Sequence, residues 1–505
     1  MPFASPDALL WILASILPSH RRINVCLAYL ALLPATGYAQ TRLPPIDADA
    51  IYQRLEQQEA EIEQLRRQLN ESLAPPAPQP EEPVTTNSEF HSVLRRLEAL
   101  EQEKSKPALK DDKKAKSDAD GWTDLSNDKW SVKLGGHVQL DYIQWANADP
   151  PIPGQNYFEF RRLRLMADGT GYGVYDFRIQ MDIEPESGDG VAVPVADIKD
   201  AYLTVNDLPL VNRMRIGNFF VPFSLEQVTN DTNNIFLERS IPTQGIFAAD
   251  REVGVAFYGV NEDQDFTWTT GAFFDNISES LKERVDDNQG ARVSGRLTYL
   301  PYYDEPSKGR YLVHTGAGIL YTQDQDDLIR FRARPQIHEG PFLIDSGNQP
   351  GNTYTTGNLE LATVWGPLSI QSELFASKAN LAVGDRNLYG AYVYASYFLT
   401  GENRIYERFG QHGAQFGRNV PYTNFFLVPG CYGTGAWELK ARISYLDLDE
   451  MNSGRYNDFT FGVNWYWTDR IRVMVDWIHP VTSEDSTPFG GTESDIIGMR
   501  FDFNF

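Results

Sequence analysis

The sequence predicts an all-β chain that folds as a transmembrane antiparallel β-barrel, preceded by a short N-terminal coiled-coil helix. Three observations point there. An export signal is followed by no run apolar enough to cross a bilayer as a helix. Many later segments alternate apolar and polar residues with a period of two. The last stretch carries that alternation to its final residue: Ile497, Met499, Phe501, Phe503 and Phe505 interleave with Gly498, Arg500, Asp502 and Asn504. One strand face is therefore greasy and the other charged. A soluble sandwich would have to cover the greasy face, whereas lipid outside and water inside satisfy both.

Composition narrows the function classes. At 505 residues, 42% hydrophobic and a mean hydropathy of -0.41, the chain is too polar for a helical membrane protein, while a barrel hides its apolarity in alternation. A formal charge of -24 excludes a nucleic-acid partner, which needs a basic surface. It does not set ion preference, which the few charges at a constriction decide. Of the two cysteines, Cys26 falls within the export signal and Cys431 is left alone, so no internal disulfide or thiolate cluster is expected. His137, His314, His338, His412 and His479 are scattered without metal-ligand spacing. With no G-x-S-x-G and no G-x-x-x-x-G-K, the chain is read as a non-enzyme, and no catalytic, cofactor-binding or metal residue is assigned.

The elements follow in order. His20, Arg21 and Arg22 precede the apolar run Val25 to Leu33 and the small-residue site Gly37-Tyr38-Ala39, so residues 1–39 read as a signal peptide. Over residues 46–73, Ile51, Leu55, Gln58, Ile62, Leu65 and Leu69 keep heptad steps and predict a short coiled-coil stalk. A stalk on the periplasmic side would oligomerise or face the cell wall; three heptads suit a solvated helix without a partner as well. Residues 74–129 form a linker, Pro-rich at Pro75 to Pro80, briefly helical at Val93, Leu97 and Leu100, and charged from Lys104 to Asp120.

From Trp130 to Phe505 the period-two pattern takes over. Trp130 to Tyr142 and Tyr175 to Glu184 alternate, and so do Phe266 to Phe274, Ala291 to Tyr299, Tyr311 to Tyr321, Tyr389 to Leu399, Trp437 to Tyr445, Phe459 to Trp467 and Ile471 to Trp477. Counting weaker runs, 16 strands are expected, with 18 as the alternative. Trp130, Tyr142, Tyr299, Tyr321, Trp437, Tyr445, Trp467 and Trp477 lie near strand ends, where aromatic girdles meet the headgroups.

The polar faces are rich in arginine. Arg330, Arg332 and Arg334 share one face of a strand-like stretch, and Arg161, Arg162, Arg164, Arg178, Arg213, Arg215, Arg292, Arg296, Arg442 and Arg472 extend the set. Guanidinium forks suit oxyanions, so these residues are candidates for a pore-lining anion path. The other arrangement pairs them with Asp176, Asp182, Glu184, Glu360, Glu373 and Glu438 as bridges within the wall. Between Phe219 and Glu252 the alternation lapses. Phe223, Ile235, Phe236, Leu237, Ile246 and Phe247 would be costly in water, so this loop is expected to fold inward as a constriction carrying Phe223, Glu226, Phe236, Glu238, Arg239 and Arg251. Thr322 to Tyr354 and Thr400 to Gly433 are expected to be extracellular loops.

The series Phe160-Arg161-Arg162-Leu163-Arg164, Asp200-Ala201-Tyr202, Gly217 to Glu226, Glu238-Arg239-Ser240 and Arg251-Glu252-Val253-Gly254 resembles the phosphate-selective porin O and P family. Phe398-Leu399-Thr400-Gly401-Glu402, Gly435 to Arg442 and Leu446-Asp447-Leu448 continue the resemblance. It implies a homotrimeric, 16-stranded channel of the outer membrane, with an inward third loop and an arginine-lined path for passive diffusion of small anions such as phosphate or polyphosphate. Phosphate-specific members add lysines to their arginine ladder; from Trp130 on, this chain has 24 Arg and only 6 Lys. A general diffusion porin for small hydrophilic solutes, or a porin doubling as an envelope anchor through its coiled coil, is the other function the residues allow.

Overall fold

The computed structural model describes residues 123–124 and 129–505, apart from 184, 189–190, 195–196, 245, 275–289, 325 and 429–430. The signal peptide, the coiled coil and nearly all of the linker lie outside the described residues. No helix among those described is long and apolar enough to cross a membrane.

Sixteen long strands form the wall: β1 (Trp130–Ala148), β2 (Tyr157–Gly171), β3 (Tyr175–Asp182), β4 (Asp197–Asn206), β5 (Arg213–Phe220), β6 (Arg251–Val260), β7 (Phe266–Phe274) and β8 (Ala291–Tyr303), then β9 (Tyr311–Gln323), β10 (Gln349–Trp365), β11 (Leu368–Leu381), β12 (Gly384–Phe398), β13 (Ala436–Asp447), β14 (Arg455–Tyr466), β15 (Ile471–Thr482) and β16 (Ser494–Asn504). Each pairs antiparallel with its sequence neighbour, and β1 pairs with β16 from His137 opposite Asn504 to Ala148 opposite Ser494. The sheet is thus closed. The two-residue strands Thr123–Asp124 and Leu328–Ile329 attach to it without adding to the wall.

Alternation runs inside out relative to a soluble protein. On β11, Leu368, Ile370 and Leu374 are exposed while Ser369, Gln371, Glu373 and Ser377 are buried. On β13, Glu438, Lys440, Arg442 and Ser444 are buried and Ile443 is exposed. Polar side chains fill the interior and apolar ones face out, the distribution that lipid demands. Trp437 stacks on Trp465 at 4.8 Å and Phe425 sits 4.7 Å from the same ring, forming part of a girdle at the end of the barrel that holds the terminal Phe505.

At that terminal end most connections are short, such as residues 172–174, 261–265 and 366–367, which marks it as the periplasmic end. Two connections break the pattern. Residues 221–250, at the opposite end, turn into the lumen as expected. The connection between β12 and β13 lies at the periplasmic end, and its residues 402–419 also turn inward, where Tyr406, Ala414 and Phe416 are buried. The expectation of an extracellular loop at Thr400 to Gly433 is therefore corrected. Its glycines and prolines shape a hairpin, Tyr406–Gly410 against Gly413–Phe416, whose apolar residues pack inside the wall.

Candidate functional site: a lumen closed down from both ends

The inward loop 221–250 is seated on the wall by shape and by charge. Phe223, Leu225, Ile235, Phe236, Leu237 and Phe247 are all buried. Leu237 lies over Gly498, where a Cβ would come 2.3 Å from Leu237 Cδ1, and Phe247 lies over Gly390 at 2.8 Å. Any larger residue at these wall positions would lift the loop. A single helical turn, α1 (Leu225–Val228), is capped by wall residue Glu373, whose carboxylate accepts from Leu225 N (3.1 Å), Glu226 N (2.8 Å) and Ser224 Oγ (3.1 Å). Carboxyl oxygens at a helix start meet N–H groups that the helix leaves unsatisfied, so the turn is held from the wall.

Two loop carboxylates collect the arginines of β2. A β-bulge between Gln139 and Leu140 of β1 places one extra residue on β2, so consecutive Arg161 and Arg162 both turn into the lumen. Arg161 donates to Glu238 Oε1 (2.8 Å), and Arg500 of β16 reaches the same oxygen at 2.8 Å. Arg162 and Arg164 meet Asp231 Oδ2 at 3.1 and 2.5 Å. Arg442 meets Glu226 at 3.4 Å and also bonds Gln336; Arg472 bonds Asp502 (2.8 Å) and the Asn234 carbonyl (2.7 Å). Arg239 donates to the carbonyls of Glu226, Gln227 and Thr229, bracing the loop from within. Arg251 is the first residue of β6 and pairs with Asp200 at 3.0 Å.

The hairpin takes the opposite sector. Arg178 donates to Asp168 (2.6 Å) and Gln411, Arg213 to the Gly410 carbonyl, and Arg215 to the Gln411 carbonyl (2.7 Å). Arg296 is bidentate to Glu360, with 2.8 Å contacts, and donates to the Ala414 carbonyl (2.9 Å). Arg292 pairs with Glu252. The two inserts touch where Asn233 donates to the Phe416 carbonyl at 3.4 Å.

Arg330, Arg332 and Arg334 are not on a wall strand. They lie on residues 324–348, the connection between β9 and β10 at the outer end, because the alternation that suggested a strand extends over only two residues in each of Leu328–Ile329 and Arg332–Ala333. Arg330 bonds Asp345, while Arg332 and Arg334 stand over the Phe342 ring at 4.1 and 4.5 Å.

Two narrow cavities flank the inward loop. One, of about 10 Å³, is lined by Glu226, Phe236, Glu238, Gln371, Tyr394 and Arg404; the other, of similar size, by Thr232, Arg418, Asn419, Asp469, Arg472 and Asp502. Arg404 has only uncharged partners, Gln371 Oε1 and Tyr394 OH. Arg418 has neither a hydrogen bond nor an ion pair among the described residues. Neither arginine stood out in the sequence, because both belong to the segment expected outside the cell. Counting connections from the terminus would have found them: the link between the twelfth and thirteenth strands must fall at the end where the chain terminates.

Burial opposes ionisation of Asp231 and Glu238, but Arg164 and Arg162 around the first, and Arg161, Arg162 and Arg500 around the second, outweigh it and hold both well below the usual carboxylate range. A depressed native pKa gives stability that is complete above the unfolded values near ~4 and is lost only as pH falls through the native value. The loop should therefore stay anchored in mild acid. Single-channel records at neutral pH and at about pH 4 should share one noise level, and excess open-level noise at the lower pH would show that the anchors had released.

Residues 132–505 match the model of the family described as "Phosphate-selective porin O and P". The chain is 23% identical over 413 residues to Porin O of Pseudomonas aeruginosa, covering 75% of this chain and 89% of that protein. Among solved structures, an anion-selective porin from Comamonas acidovorans aligns at 13% identity with a TM-score of 0.45, covering 75% of this chain and all (100%) of that one. OmpT of Vibrio cholerae aligns at 10% identity and a TM-score of 0.47, covering 76% of this chain and 100% of that one. With a closed wall of sixteen strands and a family match spanning that wall, the chain belongs to the phosphate-selective porin O and P family, the porins of the outer membrane.

Proposed function

We propose that the protein is a passive channel for small anions, and that the anions move along arginines that lack carboxylate partners. The carrying observation is that each cavity beside the inward loop holds one such cation, Arg404 in one and Arg418 in the other. An anion would meet Arg332 and Arg334 at the outer loop, pass Arg404, and leave by Arg418. A guanidinium already paired to a carboxylate presents little net field to a passing ion, whereas one without a partner replaces part of the ion's hydration shell.

Most of the arginines expected to line the path serve in this reading as anchors, including Arg161, Arg162, Arg164 and Arg296. Phosphate is the anion the family's name designates, and the Porin O relationship supports it as the solute to try first. The neutralised pairs favour a second reading, a weakly selective porin for small hydrophilic solutes. Reversal potential under a KCl gradient separates the two. Arg404→Ala and Arg418→Ala should each move it toward cation preference, with phosphate added to the bath reducing the chloride current of the parent channel. A reversal potential that neither substitution moves would leave the second reading. Trimer formation, and a periplasmic stalk over residues 46–73 that meets the cell wall, belong to the same proposal through the family resemblance; cross-linking of intact cells, with and without the stalk, would test both.

A further inference from the structure

At the outer rim, Glu159 of β2 meets His338 and Glu339 of the connection between β9 and β10. One carboxylate oxygen from each Glu and one imidazole nitrogen all lie within 4.8 Å of one another. His338 Nδ1 is 2.8 Å from Glu159 Oε2 and 3.8 Å from Glu339 Oε1. Donor atoms bound tetrahedrally to Zn²⁺ at about 2.0–2.2 Å sit about 3.3–3.5 Å apart, so the 3.8 Å pair is near ligand spacing and the 2.8 Å pair, hydrogen-bonded without an ion, would open by a few tenths of an ångström to admit one. Glu159 and His338 are 179 positions apart in sequence, which is why no spacing motif announces them.

The surroundings hold the donors in place. Tyr157 OH accepts from Glu339 N at 3.0 Å and donates to the Glu339 carbonyl at 2.8 Å, and Arg334 donates to the His338 carbonyl at 2.9 Å. Both loop ligands are therefore fixed at the backbone before any ion arrives. The second oxygen of Glu159, Oε1, is buried without a hydrogen-bond partner. A buried carboxylate oxygen left unmet is costly unless something cationic satisfies it. The nearby charges are already engaged: Arg161 with Glu238, and Asp141, opposite Glu159 on β1, with Arg500. All three ligand residues are half-buried, which leaves room for water on an ion.

We propose that Glu159, His338 and Glu339 bind a divalent transition-metal ion of the Zn²⁺ class. One imidazole and two carboxylates suit that class better than Mg²⁺ or Ca²⁺, which prefer all-oxygen shells. The ion would tie the outer loop, with Arg332 and Arg334 on it, to the wall at β2. This assignment is independent of which solute the channel passes.

The test is calorimetric titration of the full chain in detergent, stripped with a chelator, with ZnCl₂ and separately with MgCl₂. The wild type should take up Zn²⁺ and ignore Mg²⁺. His338→Ala and Glu159→Gln should each lose one equivalent per chain relative to it, while His479→Ala, a rim histidine beside Asp495, should lose none. Comparing equivalents keeps any contribution from His91 of the linker out of the result. Heat-resistant gel mobility confirms that each variant is folded, and the neutral Glu159→Gln change decides the matter if the alanine variant fails. Absence of Zn²⁺ uptake by the wild type, or uptake undiminished in both variants, overturns the assignment.

Discussion

Replacing residues 405–417 with a short Gly-Ser connection is expected to raise single-channel conductance severalfold. A sixteen-stranded barrel encloses an aqueous lumen when nothing fills it. Here the hairpin fills part of that lumen beside the inward loop, with Tyr406 against His314 and Ala414 and Phe416 packed beside Leu225. The wall itself does not depend on the hairpin, since every wall strand is bonded to its two neighbours. Deletion should therefore leave a folded barrel with Arg178, Arg213, Arg215 and Arg296 facing water. Arg213 and Arg215 have carbonyls, Thr204 and His412 as partners rather than carboxylates, so the wider channel should also become more anion-selective. Planar-bilayer recording checks both, and a conductance equal to the parent's would place the ion route elsewhere.

Glu238→Gln should give the largest loss of stability from a single substitution. That carboxylate is buried between Arg161 and Arg500, with Arg162 at 3.8 Å, and Arg442 holds the Glu238 carbonyl at 3.0 Å. Removing one partner of a buried ion pair while its cations stay in place costs roughly 3–5 kcal/mol. The temperature at which the folded gel band disappears should fall clearly, and the open channel should grow noisier as the loop loosens. Reversal potential should shift toward anions, because Arg161 loses the carboxylate it is bonded to, while Arg500 keeps Asp141. A variant as heat-resistant as its parent would mean that shape, through Leu237 on Gly498 and Phe247 on Gly390, seats the loop without help from charge.

The wall was readable in the sequence because its physics is local: alternation of two, turn residues between runs, and aromatics near the ends are each contained in about ten residues. The inward loop was readable for a related reason, since Phe223, Phe236 and Phe247 have no place in water. Partner choice was not readable. Whether Arg164 faces a solute or Asp182 and Asp231 depends on contacts across 18 and 67 positions, and pairwise charge rules do not fix them. The bulge at Arg161 and Arg162 was hidden for the opposite reason, being a one-residue change that hydrophobic patterning does not register. The hairpin was misplaced by reading composition before topology: glycine, proline and asparagine mark a loop but not the end of the barrel it belongs to.

The anchors of the inward loop also bear on how the molecule is put together. Apart from Glu373 of β11, which holds α1, they fall on β2 through Arg161, Arg162 and Arg164, and on β13 to β16 through Lys440, Asn464, Arg472 and Arg500. These strands lie on either side of the seam where the first and last strands of the wall meet. The loop thus staples the joint between β1 and β16. While the seam is open, its partners on β2 and on β13 to β16 are not brought together, and Glu238 cannot serve Arg161 and Arg500 at once. Closing the wall and narrowing the channel then become one cooperative event, so an incompletely assembled barrel would be wide as well as leaky, and insertion into the membrane would carry its own check on completeness.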